Sequence, residues 1–546
     1  MKRREFLSGT AAVAALGSVA GAGVTVVNST EAKRPMFERA SVAGMTPHIP
    51  ERPEVFDVGN RKQLFLDDLM LDRVERISKF VGRVQKYEHN PILLPDKPWE
   101  RGWTGSDGAG YTGSEQSSTQ NKQITRTEGL RITGQTALYD EEEKLFKLWY
   151  LPWLWPDLRS PWCYAVSTDG YRWERPELGM FEFEGSNKNN ILSATRDIDY
   201  FNVVKDPHDP DPNRRYKAMG ESERPGQPQG VCVAFSPDGL RWTESPGNPV
   251  VLKGANVTDA PTMLGWDSLK KKYVAYYRPG APIYTRRMRT IGYSESDDFE
   301  HWTDTRLMLA MDDLDRVDYE YMQFTVGVHG DFYVGFLMIY EKHEKTWNTY
   351  LLSSRDGFHW TWVDRNVPFL SRGEIGSYDA AYMTPCGPIV HDGKIWIYYG
   401  AFRTAHTFLP TKFGTHDIMT IALATLPEDR YVGLLGSVDE NNEPAGMVLT
   451  HPLRFAGNKL FLDFDSSTPM QQVPHDDPRH CQIRAAIFDE SGEKIEAFSL
   501  EKCTPLYDEG RHEMRWIGSE LSQLEGQPIR LMLHIQNAAL YSFQFV

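Results

Sequence analysis

Four short runs along the chain share one pattern, a turn of acidic residues or glycine followed by six positions dominated by aromatic, β-branched and apolar side chains. They are Leu145 to Tyr150, Lys272 to Tyr277, Phe332 to Leu337 and Lys394 to Tyr399. The turns before them are Asp140 to Glu143, Asp267 to Lys270, His329-Gly330-Asp331 and His391-Asp392-Gly393. Runs of this length and composition, bounded by turn residues, predict β-strands. Apolar periodicity sustained over ten or more residues, the signature of a helix, is hard to find beyond the N-terminal segment.

Interleaved with these strands is a recurring motif, Ser-x-Asp-Gly-x-x-Trp or a close variant. It occurs at Ser167 to Trp173, Ser236 to Trp242, Ser296 to Trp302 and Ser354 to Trp360, with tryptophans 58 to 69 residues apart. A repeat of about this size built from strands is what propeller blades look like in sequence. Aligning strands and turns gives five units, at 132–182, 197–252, 257–310, 317–370 and 377–436. The fifth has no such turn: its last strand, Met419 to Ala424, ends in Thr425-Leu426-Pro427-Glu428-Asp429. In the motif, Asp accepts backbone hydrogen bonds, Gly supplies positive φ and Trp returns over the sheet, so it reads as a fold element and not as chemistry. The predicted fold class is all-β, a five-bladed β-propeller over 132–436 followed by a small C-terminal β-sandwich over 446–546.

The sandwich strands are expected at Lys459 to Phe464, Gln482 to Phe488, Ile529 to His534 and Ala539 to Phe545. Residues 51–131 read as an N-terminal extension with one strand, Leu64 to Asp68, and a long polar stretch, Trp103 to Thr127, of a kind that is either a linker or a loop over a site. Residues 1–30 begin Met-Lys-Arg-Arg-Glu-Phe-Leu and continue through a weakly apolar, Ala- and Gly-rich run. This resembles a twin-arginine export signal, which implies a periplasmic or extracellular protein, and the run is too short and too rich in glycine for a membrane span.

The chain of 546 residues carries 60 basic and 75 acidic side chains, a net charge of −15, without a basic block, so a nucleic-acid partner would meet net repulsion. Five dispersed cysteines without CxxC spacing argue against a zinc site, and only Cys481 and Cys503 are near enough in sequence to suggest a bridge. No His/Asp spacing indicates a catalytic metal, and no cofactor is expected. A structural cation in an acid-lined channel would be compatible with the composition.

With five units, the Asp-Gly-Trp turns and an appended sandwich, residues 55–546 resemble the five-bladed propeller glycoside hydrolases, the superfamily of invertase-like and arabinanase-like enzymes. The resemblance implies a carbohydrate substrate and three carboxyl groups near the axis, on the innermost strands of different blades. The invertase-like Trp-Met-Asn-Asp-Pro and Arg-Asp-Pro signatures are absent. Unit three opens with Asp259-Ala260-Pro261, similar to the arabinanase-like motif; unit four opens with Asp318-Tyr319-Glu320, and unit five reaches Asp379. Glycoside hydrolysis needs one protonated and one ionised carboxyl group, so Asp259, Glu320 and Asp379 are the expected catalytic residues, with Glu320 as acid by analogy with the superfamily.

Substrate-binding positions are expected at Asp199, Asp318, Tyr319, Arg278 and Arg287. Period-two alternation places Asp318 and Glu320 on one face, and Arg287 and Arg289 on one face with Arg286 on the other. These arginines suit an anionic sugar group or phosphate, or else ion pairs with acids such as Asp297 and Asp298. His301 and His359, inside the Trp turns, read as outward-facing, whereas His406 and His416 flank a loop in unit five. The alternatives to hydrolysis are a carbohydrate-binding propeller without catalysis, and a lyase or a phosphorylase on the same scaffold.

Overall fold

The computed structural model describes residues 52–100, 128–152, 161–192, 199–222, 230–252, 259–283, 286–403, 418–436, 445–466 and 481–546. The expected signal at 1–30, the polar stretch 103–127 and His406 and His416 lie outside these residues. Among the described residues there are strands and short 3-10 turns, and no α-helix.

Units two, three and four are antiparallel meanders. Unit two runs through Asp199–Lys205, Tyr216–Ser222, Gly230–Ser236 and Thr243–Glu244. Unit three runs through Asp259–Asp267, Lys272–Arg278, Ile291–Ser296 and Arg306–Leu309, and unit four through Tyr319–His329, Phe332–Glu341, Thr346–Ser354 and Thr361–Trp362. In unit one the inner strand is broken into Glu128–Arg131 and Ala137–Asp140, both paired with Leu145–Pro152. In unit five it is broken into Tyr382–Pro385 and Ile389–His391, both paired with Lys394–Phe402.

Unit five differs at its outer edge. Its third strand, Ile418–Pro427, pairs with Gln85–Lys86, so the outermost strand is contributed by the N-terminal segment. The position that units two, three and four fill from their own chain after the Trp turn is filled here by another part of the molecule, which accounts for the missing turn. The same third strand pairs in parallel with Glu128–Arg131, joining unit five to unit one. Gly129 is required at this seam, because a Cβ there would lie 2.5 Å from the Met419 nitrogen.

Side chains on the inner strands stitch the units into a closed circuit. The Gln135 nitrogen donates to Asn202 Oδ1 at 2.6 Å, and Asn202 Nδ2 donates to the Pro261 carbonyl at 2.8 Å. Thr262 Oγ1 donates to Phe324 O at 2.6 Å, Thr325 Oγ1 to Pro385 O at 3.4 Å, and Thr384 Oγ1 to Ile132 O at 2.6 Å, which returns to unit one. Buried carbonyls need donors, and in this layer the neighbouring unit supplies them. Across the circuit, Thr133 Oγ1 and the Gln323 side-chain amide meet at 2.6 and 2.8 Å.

Further out, a tyrosine of one unit caps an aspartate of the unit before it. Tyr216 donates to Asp140, Tyr273 to Asp206 and Tyr333 to Asp267, at 2.7 to 2.8 Å. In units one and two the same aspartates hold buried Lys147 and Lys217. The Ser-x-Asp turns are built alike in all four copies: each Asp accepts two backbone N–H groups at 2.8 to 2.9 Å. They also reach sideways, since Tyr398 of unit five donates to Gly170 O and Trp149 of unit one to Gly239 O. The third copy places Phe299, not Gly, at φ 71°.

The N- and C-terminal regions form two sheets together. One runs Phe56–Gly59, Leu453–Phe455, Ile529–Gln536, Gly446–Thr450, Leu71–Glu75, with Gln482–Asp489 also on Ile529–Gln536. The other runs Gly510–Met514, Leu460–Asp465, Ala539–Phe545, Val432–Gly436, Ile77–Val81, with Gln63–Leu64 on Ala539–Phe545. Leu460–Asp465 and Ile529–Gln536 alternate buried and half-buried positions, as strands with one covered face do. Their apolar faces share one core, where Phe455 and Phe545 stack at 4.1 Å. The expected division between 51–131 and 446–546 therefore does not follow the sheets.

Two local expectations also differ. The strand expected at Leu64 to Asp68 ends at Leu64; Asp67 instead accepts the Leu69 N–H in a turn and grips Arg355 with both oxygens. The Cys481–Cys503 bridge is not formed; the Cys503 thiol lies against Met514 Sδ at 3.1 Å.

Candidate functional site

The inner strands of units three and four bring their N-terminal ends together. Asp259 opens the strand Asp259–Asp267 and pairs in register with Arg278 on Lys272–Arg278. The buried Arg278 Nη1 donates to the Met322 carbonyl of unit four at 2.9 Å, two residues from Glu320. Unit three also carries a hairpin, Gly280–Ile283 with Arg286–Arg289, inserted between its second and third strands. From the end of that hairpin Arg289 donates to Glu320 Oε2.

Glu320 is only 8% exposed. Besides Arg289 it faces Lys342, whose Nζ lies 3.4 Å from Oε1. Lys342 follows the strand Phe332–Glu341, where Glu320 pairs with Tyr340, so β-pairing places it beside the carboxylate. A carboxylate inside a protein needs such partners, because desolvation without them is costly. Asp318 does not share these partners: it takes Arg316 in a two-point pair at 3.2 and 3.1 Å. Asp318 precedes the strand Tyr319–His329, so the strict alternation expected of the two acids does not apply to it. The Arg316 guanidinium also lies 5.0 Å from the Tyr319 ring.

Asp379 stands elsewhere. It is 1% exposed, and Lys86 Nζ sits 2.5 Å from its Oδ2. Ser377 donates to Oδ1 at 3.0 Å and Tyr399 to Oδ2 at 3.4 Å. Its partners are therefore the residue that completes the outer edge of unit five and two hydroxyls. The expectation that it lines an open channel is not met, for the physical reason that its acceptors are taken by structural donors.

The side chains of Asp199, Asp259 and Arg287 lie outside the described residues, so their strands alone are placed. Asp199 pairs in register with Glu221. Glu221, on Tyr216–Ser222, is a buried carboxylate that reading the inner strands alone passed over. Lys342 and Lys86 were also missed; period two could have marked Lys342 as the neighbour of a residue facing Glu320, whereas nothing local marks Lys86. The expected surface pairs of the arginine cluster are not seen: Asp297 pairs with Lys272 and Asp298 with His301. His301 is exposed, as expected for a residue outside the chemistry, whereas His359 is half-buried against Asp356.

Among the described residues one trio has metal-ligand types close together, His329, Glu428 and Asp429. It lies away from Glu320, and Lys62 already supplies its cation, 2.7 Å from Glu428 and 3.0 Å from Asp429. Burial pushes the Asp429 carboxyl up, but His329, Lys62 and the Ser542 hydroxyl outweigh it and hold the group down at about 2.

No family model and no curated protein sequence matches this chain. Similar solved structures include a glycosyl hydrolase from Bacteroides ovatus, 13% identical with a TM-score of 0.41, covering 64% of this chain and 96% of that one. Another, described under the GH130 family of mannoside phosphorylases containing glycoside hydrolases that target β-1,2 mannosidic linkages in Candida mannan, is 13% identical with a TM-score of 0.41, over 64% of this chain and 95% of that one. A third, described as a complex of BT0996 with RGII, is 16% identical with a TM-score of 0.39, over 64% and 93%. At such identities and scores the chemistry of this chain has to be read from its own residues.

Proposed function

We propose that the chain is an exported carbohydrate-active enzyme, a five-bladed β-propeller glycoside hydrolase that cleaves a poly- or oligosaccharide where the inner strands of units three and four open. The observation that carries this reading is Glu320, a nearly buried carboxylate at the start of an inner strand, flanked by cations from two units. In this reading Glu320 takes the ionised role, base or nucleophile, for which its two cationic neighbours suit it, and Asp259 takes the acid role. This reverses the assignment that analogy alone suggested for Glu320. Arg278 and Arg287, with Tyr319, Asp318 and Asp199, are the proposed sugar contacts. Asp379 is assigned to anchoring unit five.

A carbohydrate-binding ring without turnover is the second reading, favoured by the full set of partners around Asp379, which leaves fewer carboxylates for chemistry. The test is a screen of the purified full chain against neutral and acidic plant and algal oligosaccharides, with and without inorganic phosphate, read by product mass. We expect turnover without phosphate, lost by roughly a thousandfold or more in Glu320→Gln and in Asp259→Asn. Undiminished turnover in both variants would sink the assignment. Dependence on phosphate would make the enzyme a phosphorylase, and an unsaturated product would make it a lyase.

A further inference from the structure

The cations around Glu320 outnumber the carboxylate they serve. Arg289 spends one of its five N–H donors on Glu320, and Lys342 approaches it at 3.4 Å with one of three. The nearby acids do not compete for them: Asp318 belongs to Arg316, which also lies 4.0 Å from Glu341, and Glu341 accepts from Asn348. Among the described residues no second carboxylate pairs with Arg289 or Lys342. Both side chains remain open to solvent, Arg289 at 41% and Lys342 at 30%, although Glu320 between them is nearly covered. They come from different places, a hairpin of unit three and the strand end of unit four, so together they bracket the carboxylate.

We propose that Arg289 and Lys342 form an oxyanion-binding subsite for an acidic group carried by the sugar itself, a carboxylate or a sulfate ester. The inference rests on the carbohydrate reading above. Two half-exposed cations that already share a carboxylate make a weak site for a free anion, since an exposed ion pair contributes about 0 to 1 kcal/mol. The same pair becomes selective when the anion arrives tethered to a sugar held by neighbouring contacts, because tethering raises its effective concentration. The chain's net charge of −15 works the other way over distance, repelling heavily charged polymers and leaving local cations to pick out a single acidic residue.

The test is calorimetric titration of the full chain with oligogalacturonides, sulfated galacto-oligosaccharides, their uncharged galacto-oligosaccharide counterparts and inorganic phosphate, at low and high salt. We expect at least one acidic series to bind roughly tenfold more tightly than its neutral counterpart at low salt, with the preference shrinking as salt rises. The acidic-to-neutral ratio should fall towards one in Lys342→Met and in Arg289→Gln, and should survive in Lys342→Arg, with thermal unfolding verifying that each variant is folded. Equal binding of acidic and neutral sugars overturns the subsite and leaves the carbohydrate reading standing. Tight binding of phosphate alone, without preference for acidic sugars, also overturns it by assigning the anion to a free co-substrate. Binding of neither sugar series overturns both readings.

Discussion

At the scale of single residues, the side chains that mattered most were those whose partners arrive from far along the chain. Asp379 and Lys86 form a nearly buried pair, and removing one member of such a pair strands the other charge. Lys86→Met is therefore expected to lower unfolding free energy by about 3 kcal/mol, measured by denaturant titration, with Lys86→Met combined with Asp379→Asn recovering part of the loss. A catalytic Asp379 would give another result, lost turnover in Asp379→Asn at unchanged stability.

Phe299 poses a question of sign. Its positive φ is unfavourable for a non-glycine residue, by about 1 kcal/mol or somewhat more. It is also fully buried among Phe235, Tyr273 and Trp302. Trp149 packs against Gly239 in the second turn, whereas unit two offers the slimmer Met219 to the core that contains Phe299, and the phenyl ring fills the difference. Burial outweighs strain, so Phe299→Gly should destabilise by roughly 2 to 3 kcal/mol in the same titration.

At the scale of elements, the junction around Asp429 gives a pH dependence. The carboxyl is held at about 2 against an ordinary value of 3.8, so its contribution is complete above pH 4 and is lost as pH falls towards 2. The expected loss is on the order of 2 kcal/mol. Comparing the wild type with Asp429→Asn at pH 5 and pH 2.5 should show the gap between them closing at the lower pH. A gap that stays constant would mean that the carboxylate charge is not what Asp429 supplies.

The elements were legible in the sequence to the extent that their causes are local. The Asp turns could be read because each one satisfies its own backbone, and Lys394 to Tyr399 could be read because its composition suits a covered strand. Gln85–Lys86 could not be read, since two residues carry no period and their partner lies some 340 positions away. The Asn and Thr links between inner strands were equally hidden, because their acceptors are carbonyls of another unit. At the site, Glu320 was legible as an acid at a strand opening, but its cations come from other strands and become neighbours only after pairing.

At the scale of the whole molecule, strands from residues 56 to 86 complete both terminal sheets and the outer edge of unit five. Fragments cut at the boundaries the sequence suggests should therefore fail. We expect residues 128–436 expressed alone to aggregate, because they lack the strand Gln85–Lys86 and leave the core around Leu434 uncovered, and residues 446–546 to lack a cooperative unfolding transition. A soluble, sharply melting 128–436 fragment would contradict this.

The borrowed outer strand also sets an order in time. Gln85 and Lys86 leave the ribosome long before Thr425 and Ala424 exist to pair with them, so one edge of unit five must wait until the chain is almost complete. The ring is thus closed by the last part made joining the first, and contacts of such sequence separation form slowly. For a chain whose N-terminus resembles a signal for export after folding, this makes closure of unit five a natural checkpoint: a truncated or stalled chain cannot present a finished ring.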